Sequence, residues 1–342
     1  MKLKDISDNL GISLTVVSRV INGKGDEFRI SAGTQQKIIE EAQRLGYDLS
    51  GIGQAMRKRN SRTLALVLPS VANAYFADMA SSVIKEGQKN GYTTILLDCE
   101  ESENRQKEIL ENLLARKVVD GIIIAPCGKN ACFLEQIDKK FVPVVLIDRY
   151  YEDCRLPYVT SNNFKGALDG TNLLIRSGHR KIVCIQGETD SVPNRKRVSG
   201  FHKAMDAAGY EARVVGNAFS MENGYTETKL LLQSKERPTA IFGLSNTICL
   251  GAIRAIKEAS LRIPEDISVL CFDDNFYLDH LTPQITRVGQ QTDEMGRLAV
   301  KVMMEKINDC GDTLSPQLEL STYLTIKDSV ASLTLHEPEG ID

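Results

Sequence analysis

From Arg62 onward, short apolar runs alternate with stretches whose apolar residues recur at helical spacing. "RTLALVLP" (62–69) precedes a helix predicted from Ala74 to Asn90. "YTTILLD", a helix near Asn104–Arg116, "VDGIIIAP", a short helix near Ala131–Lys139 and "VPVVLID" follow. Strand-length apolar runs separated by amphipathic helices predict a parallel sheet with helices on both faces. A second series repeats the architecture without repeating the sequence: "KIVCIQG" (181–187), a helix near Arg195–Gly209, "ARVVGNAF", a helix near Glu222–Gln233, "PTAIFGLS", a helix near Thr247–Ala259 and "DISVLCFDD". "PYVTSNNFKGALDGTNLLIRSGH" links the two series, and "TRVGQQTDEMGRLAVKVMMEKIND" adds a strand and a helix after the second. The expected picture is two α/β lobes with several crossovers and a cleft between them.

The front of the chain differs in kind. In Leu3–Leu10, Ile6 and Leu10 share one side and Gly11 ends the helix, after which Ser13 can accept from the free N–H groups of the next helix. That helix turns Val17, Val20 and Ile21 inward and leaves Leu14, Thr15, Ser18, Arg19 and Asn22 on the opposite face. A third helix from about Ser31 to Leu45, with Gly46 after it, closes a small core through Ile38, Ile39, Ala42 and Leu45. Two short helices around a glycine-containing turn fit a helix-turn-helix, and by pattern alone they also fit a plain helical hairpin.

Composition narrows the classes. At 342 residues, 42% apolar and 25% charged, the chain is globular and long enough for two or three domains. It has no run of about 18 apolar residues, and "MKLKDISDNL" lacks the apolar core of a signal peptide, so the expected location is the cytoplasm, with no membrane contact. The eight cysteines are scattered, several within apolar strands and none in a C-x-x-C pair, which reads as reduced core thiols. With four histidines and no H-E-x-x-H, neither a metal site nor a cofactor is expected.

The net charge of −3 is uneven: residues 1–62 carry 11 Lys+Arg against 7 Asp+Glu, so the front is the candidate nucleic-acid contact. An enzyme is disfavoured, because there is no P-loop or G-x-S-x-G elbow and "GIGQAM" lacks the third glycine of a dinucleotide loop. A periplasmic binding protein would explain the lobes and leave the front unexplained.

In order along the chain, "MKLKDISDNLGISLTVVSRVING" and "ISAGTQQKIIEEAQRLGY" resemble the DNA-binding head of the lactose-repressor (LacI/GalR) family of bacterial transcription regulators. The likeness continues through "RTLALVLPSVANAYFADM", "VPVVLIDR", "SGHRKIVCIQG", "LGAIRAIKEASLRIPEDISVLCFDD" and "TRVGQQTDEMGRLAVK", and covers about residues 2–330. The extra "GDEF" before "RIS" looks like the branch containing the fructose repressor. The resemblance implies an all-α helix-turn-helix head (1–46), a hinge (47–61) and a two-lobed, periplasmic-binding-protein-like α/β core with parallel sheets (62–330), then a tail (331–342). Lobe one is expected at about 62–160 and 291–322, and lobe two at about 161–290 and 323–330. The implied protein is a homodimeric repressor of double-stranded operator DNA, controlled by a sugar or sugar phosphate bound between the lobes.

Carried over residue by residue, Leu14, Thr15 and Arg19 match base-reading positions, and Ser13, Ser18 and Asn22 match positions near the phosphate backbone. Arg19 can pair bidentately with guanine O6 and N7, Thr15 can reach a base edge or methyl group, and Leu14 makes apolar contact only. In the hinge, Met56 stands where relatives wedge a leucine into the minor groove, and Arg57 is expected along the phosphates; a solvated basic linker is the alternative. Leu49 and Ser50 replace the usual Pro-Asn, and Gly51 and Gly53 each weaken a hinge helix by about 1 kcal/mol.

In the core, Arg197 and Asp273 match the pair that holds ligand hydroxyls in relatives, Phe219 matches a stacking aromatic, and Asp148 ends a strand facing the cleft. Asp273 also reads as a strand-end turn carboxylate, and Tyr75 and Phe76 as either ligand contacts or core packing. Ser245 stands where relatives commonly have Asn followed by Asp, and Asn162 where Asp is usual. Those losses of negative charge are compatible with a phosphorylated sugar.

Overall fold

The computed structural model describes residues 3–21, 25, 28–45, 61–308 and 316–333. Asn22, Met56 and Arg57, and with them all of the expected hinge except Ser61, lie outside the described residues. The N-terminal helices form one compact unit and the two sheets belong to another.

The front unit contains α1 (Leu3–Leu10), α2 (Leu14–Ile21) and α3 (Ala32–Arg44). Ile6, Val17, Val20, Ile21, Ile38 and Ala42 are buried together, with Leu10, Ile39 and Leu45 packed against them. Gly11 takes φ +64° in the turn, a conformation that costs a residue with a Cβ, and the Val16 N–H then points at Ser13 Oγ, 3.4 Å away. Asn9 donates to Glu41 at 2.9 Å and so ties α1 to α3.

The core begins with β1 (Thr63–Leu68), α4 (Ala74–Lys89), β2 (Thr93–Asp98), α5 (Glu103–Arg116), β3 (Gly121–Ile124), α6 (Cys132–Lys140), β4 (Val144–Ile147) and β5 (Tyr158–Ser161). It continues with α7 (Asn163–Arg176), β6 (Ile182–Ile185), α8 (Val192–Ala207), β7 (Arg213–Val215), α9 (Met221–Gln233), β8 (Ala240–Gly243), α10 (Asn246–Glu258), β9 (Ser268–Phe272) and β10 (Thr286–Gly289). It ends with α11 (Thr292–Asn308), β11 (Gln317–Leu320) and β12 (Tyr323–Thr325). The strands make two six-stranded sheets, ordered β11-β5-β4-β3-β1-β2 and β12-β10-β9-β8-β6-β7. The chain passes between the sheets after β5, after β10 and after β11.

Because successive strand residues point to opposite faces, one apolar run feeds two cores. In the second sheet Val183 and Ile185 pack with Ile248, Ala252 and Ile256 of α10, while Ile182 and Cys184 pack with Phe201 and Met205 of α8. In the first sheet Leu64, Leu66 and Leu68 face Met79 and Val83 of α4 and Met303 of α11. Among the described residues no helix is long and apolar enough to cross a membrane. Helix α8 starts at Val192, earlier than the sequence pattern predicts, because Pro193 fits the first turn, where an N–H has no helical partner.

Helices α9 and α10 meet backbone to backbone at two glycines. A Cβ on Gly224 would lie 2.1 Å from the Ile248 carbonyl oxygen, and one on Gly251 would lie 2.0 Å from that of Met221. Gly251→Ala is therefore expected to lower core stability by at least the upper end of the roughly 1–3 kcal/mol typical of overpacking. Gly33→Ala in α3, which opens onto free space, is expected to stabilise the front unit by about 0.5–1 kcal/mol. Urea unfolding of the two variants checks both signs.

Candidate functional site

A narrow pocket of about 20 Å³ lies at the seam between the sheets. Asn73, Tyr75, Phe76, Asp148 and Arg149 line it from the first-sheet side, and Ser191, Pro193, Arg197, Phe219, Ser245 and Asp273 from the second. The structure thus brings Tyr75, Phe76, Asp148, Arg197, Phe219, Ser245 and Asp273 around one space. They stand largely at the carboxyl ends of parallel strands, where an open α/β sheet presents loops and helix N-termini to a ligand.

Two aspartates set the electrostatics. Asp148 follows β4 and Asp273 follows β9, each with left-handed backbone, φ 61° and 86°. Their short polar side chains tolerate this conformation better than most. Asp148 accepts from the Tyr75 hydroxyl at 2.7 Å, and its own carbonyl accepts from Thr160 Oγ1 at 2.6 Å. Asp273 accepts from Gln290 Nε2 at 2.7 Å and from the first N–H of α10, that of Asn246, at 3.1 Å.

Arg197 is 4% exposed and thoroughly held. Its Nε donates to Asn163 Oδ1 at 2.7 Å, its Nη1 donates to the Leu244 carbonyl at 2.7 Å and lies 3.9 Å from Asp273, and its guanidinium sits 3.8 Å from the Phe272 ring centroid. Burial pushes both aspartates above the usual carboxylate range, with Arg197 acting in the opposite sense. Burial, then the neighbouring Asp148, pushes the Tyr75 phenol well above its ordinary value. A pocket with acceptor carboxylates, one fixed guanidinium and the Phe76 and Phe219 rings suits a ligand with hydroxyls and an apolar face.

Ser245 lines the pocket, but its hydroxyl is committed to capping α10, accepting from the Ile248 N–H at 3.2 Å. Asn162 plays the same part for α7, accepting from the Lys165 N–H at 2.8 Å. Both positions that depart from the expected acidic pattern therefore satisfy helix ends. Phe76 and Tyr75 do double duty, buried in the first sheet's core and also facing the pocket.

Sequence reasoning missed Arg149, Gln290 and a ladder of amides. Arg149 makes a bidentate pair with Glu101 at 2.6 and 2.8 Å, and its guanidinium lies 5.8 Å from the Phe76 centroid and 5.6 Å from that of Phe219. Asn246 donates to Asn73 at 2.8 Å and to Asn275 at 2.7 Å, and Asn275 donates to Asp78 at 3.1 Å, so polar bonds cross the seam. Arg149 and Gln290 stood in the strings "VLIDR" and "GQQ", each just after a strand, and that position was the available signal.

On α2, Leu14, Thr15, Ser18 and Arg19 line one surface groove with Leu3 and Lys4. Leu14 is 48% exposed, which core packing does not explain. Ser13, exposed, stands just before the helix. The Arg19 guanidinium lies 3.8 Å from the centroid of Phe28, a residue of the inserted "GDEF".

Residues 171–330 match the periplasmic binding protein-like domain. The HTH-type transcriptional repressor PurR of Haemophilus influenzae is 29% identical over 97% of this chain and 99% of its own. Among solved structures, the complex of the transcriptional regulator CelR with cellobiose superposes with a TM-score of 0.71 at 27% identity, over 96% of this chain and 99% of that one. A LacI family transcriptional regulator from Enterococcus faecium with bound ribose gives 0.72 at 25%, over 80% and 100%. The homologues of this chain are LacI-family transcriptional regulators. The LacI-family likeness extends across both the helical front and the two-sheet core, since the PurR and CelR matches span nearly the whole chain.

A buried carboxyl with a raised pKa holds its proton more tightly in the folded chain than in the unfolded one. Stability therefore falls as pH rises from the ordinary carboxylate value to the raised one, and the loss is complete above it. Asp148→Asn keeps an oxygen for Tyr75 and cannot ionise. Its melting temperature is expected to gain on that of the unsubstituted protein as pH goes from about 4 to about 7. A constant gap across that range would contradict the assigned cost of burying Asp148.

Proposed function

We propose that this protein is a homodimeric repressor that binds double-stranded operator DNA through its N-terminal helices and changes its operator affinity when a sugar-like effector occupies the seam pocket. The observation that carries the reading is the pocket itself, built from strand ends of both sheets with carboxylates, a fixed guanidinium and aromatic rings from both sides. CelR with cellobiose and the Enterococcus regulator with ribose support a carbohydrate ligand. The α2 groove supports base reading by Leu14, Thr15 and Arg19, with Ser13 and Ser18 nearer the phosphates. No catalytic step is assigned, and the site of action is the cytoplasm, with the DNA.

A ligand touching both lobes favours one closure angle over others, which is the differential affinity that an allosteric effect requires. The amide ladder through Asn73 and Asn246 and the pair of Arg195 with Glu152 at 2.9 Å are contacts that such a change would make or break. Coupling on the usual scale of about 1–3 kcal/mol corresponds to roughly 5–150-fold in operator affinity.

Operator titrations test this directly. Asp273→Ala and Arg197→Ala are expected to abolish the effector-dependent shift in operator affinity. A variant that still shifts fully would place the effector elsewhere. Arg19→Ala is expected to lose about 1–3 kcal/mol of discrimination at one base position in each half-site. An unchanged base preference across a set of single-base operator variants would remove Arg19 from the reading face.

A further inference from the structure

Cys99 follows β2 and Cys127 follows β3, the two strands that flank β1, and their Sγ atoms lie 3.5 Å apart. Both backbones are anchored. The Cys99 N–H donates to the Leu68 carbonyl at 2.9 Å, and the Cys127 N–H donates to Gln106 Oε1 at 2.7 Å. The Cys127 carbonyl accepts from Gln106 Nε2 and from the Tyr151 hydroxyl, each at 3.2 Å. The fold thus holds the two thiols opposite each other across the end of β1. A disulfide bond is about 2.05 Å long, so closing the gap takes about 1.5 Å of sulfur movement, the scale of a side-chain rotation.

Access separates this pair from the other buried thiols. Cys184, Cys249 and Cys271 are sealed in the cores of the second sheet and line neither cavity of the seam. Cys127 lines a cavity of about 250 Å³ that adjoins the narrow pocket and shares Arg149 and Ser191 with it. Cys99 is fully buried, so a small oxidant in that cavity meets Cys127 first.

Charge favours reaction at the same sulfur. Arg149 Nη1 lies 3.8 Å from Cys127 Sγ. Glu101 Oε2 lies 3.9 Å from it, but its charge is offset by the bidentate pair with Arg149. The hydrogen bond between the thiols holds the first ionisation of the pair below the ordinary thiol value and pushes the second above it. In the singly ionised pair the remaining proton is shared between the sulfurs, and the guanidinium favours thiolate on Cys127.

We propose that Cys99 and Cys127 form a redox-active dithiol that a small hydroperoxide, entering through the seam cavity, converts to a reversible disulfide. The Cys127 thiolate attacks one peroxide oxygen, the O–O bond breaks, and the leaving alkoxide or hydroxide takes up the proton lost on ionisation. Cys127 is then a sulfenic acid. The Cys99 sulfur attacks Cys127 Sγ, the S–O bond breaks, and the departing hydroxide leaves with the Cys99 proton as water. The two thiols are oxidised to one disulfide, and the hydroperoxide is reduced to an alcohol, or to water, with one further water released. A dithiol reductant reverses the step by thiol–disulfide exchange. The inference does not depend on the effector reading of the seam.

The test is thiol mapping of the full chain, reduced, freed of reductant, treated with equimolar hydrogen peroxide, alkylated, digested and weighed by mass spectrometry. A peptide pair joined through Cys99 and Cys127 is expected to form at least about tenfold faster than the exposed Cys132 is oxidised, and to be lost on treatment with dithiothreitol. Cys184, Cys249 and Cys271 are expected to remain free thiols. Cys99→Ser is expected to stop at a Cys127 sulfenic acid that dimedone captures, and Cys127→Ser to slow oxidation of Cys99 at least about tenfold. Mapping the unsubstituted chain needs no variant and decides the question if a serine variant misfolds. Both thiols recovered free after Cys132 has been oxidised, or Cys99 oxidised at the same rate without Cys127, would overturn the proposal. So would sulfinic acid on Cys127 with no crosslink to Cys99.

Discussion

Two carboxylates and one guanidinium, buried where two sheets end against each other, set the terms for the rest of the core. Asp148 and Asp273 are each 4% exposed or less, and Arg197 is the one cation within reach of Asp273 that lines the inner pocket without a carboxylate of its own at hydrogen-bond distance. Taking such groups out of water costs several kcal/mol each unless partners restore what hydration supplied. The restored partners are visible: a phenol for Asp148, an amide and a helix N–H for Asp273, an amide oxygen, a carbonyl and a ring face for Arg197. The surrounding apolar sheets hold this arrangement in place. A ligand that replaces some of these partners with its own hydroxyls has a direct hold on how the two sides meet.

That hold is exerted across a seam made of polar contacts rather than a continuous apolar core. Asn246 reaches Asn73, Asn275 reaches Asp78, the Tyr75 hydroxyl lies 3.2 Å from Gln290, and Lys129 and Glu152 pair with residues of the opposite side. The exposed ion pairs of this boundary, Lys129 with Asp190 and Arg195 with Glu152, exchange readily with water, whereas the interdigitated cores on each sheet do not. The difference separates what stays rigid from what is free to respond.

Much of this was legible in the sequence because parallel strands buried on both faces read as uninterrupted apolar runs, and "LALVL", "GIII", "VVLI", "IVCI", "AIFG" and "SVLCF" are all strands. The first polar residue after such a run is where a ligand meets an open α/β sheet, which is why Asp148 was singled out by position, whereas Asp273 was singled out by the family resemblance. What remained hidden depends on pairing across distance. Arg149 finds Glu101 48 residues away, and Asn246 finds Asn73 173 residues away, and no local spacing encodes either contact. Ser245 and Asn162 were read by charge, whereas the structure uses them as helix caps, a role that local sequence carries only when the helix start is known to the residue. "ARVVGNAF" supplied only the short strand Arg213–Val215, because the following Gly216, at φ 84°, turns the chain away.

The central claim is that one ligand at the seam and one DNA site at the front are energetically linked. Linkage requires that the effector's affinity change on operator binding by the same factor as the operator's affinity changes on effector binding. The measurement is a calorimetric titration of the effector into the free dimer and into the dimer saturated with operator duplex. A difference of roughly 5–150-fold between the two dissociation constants is predicted. Superimposable isotherms would contradict the account.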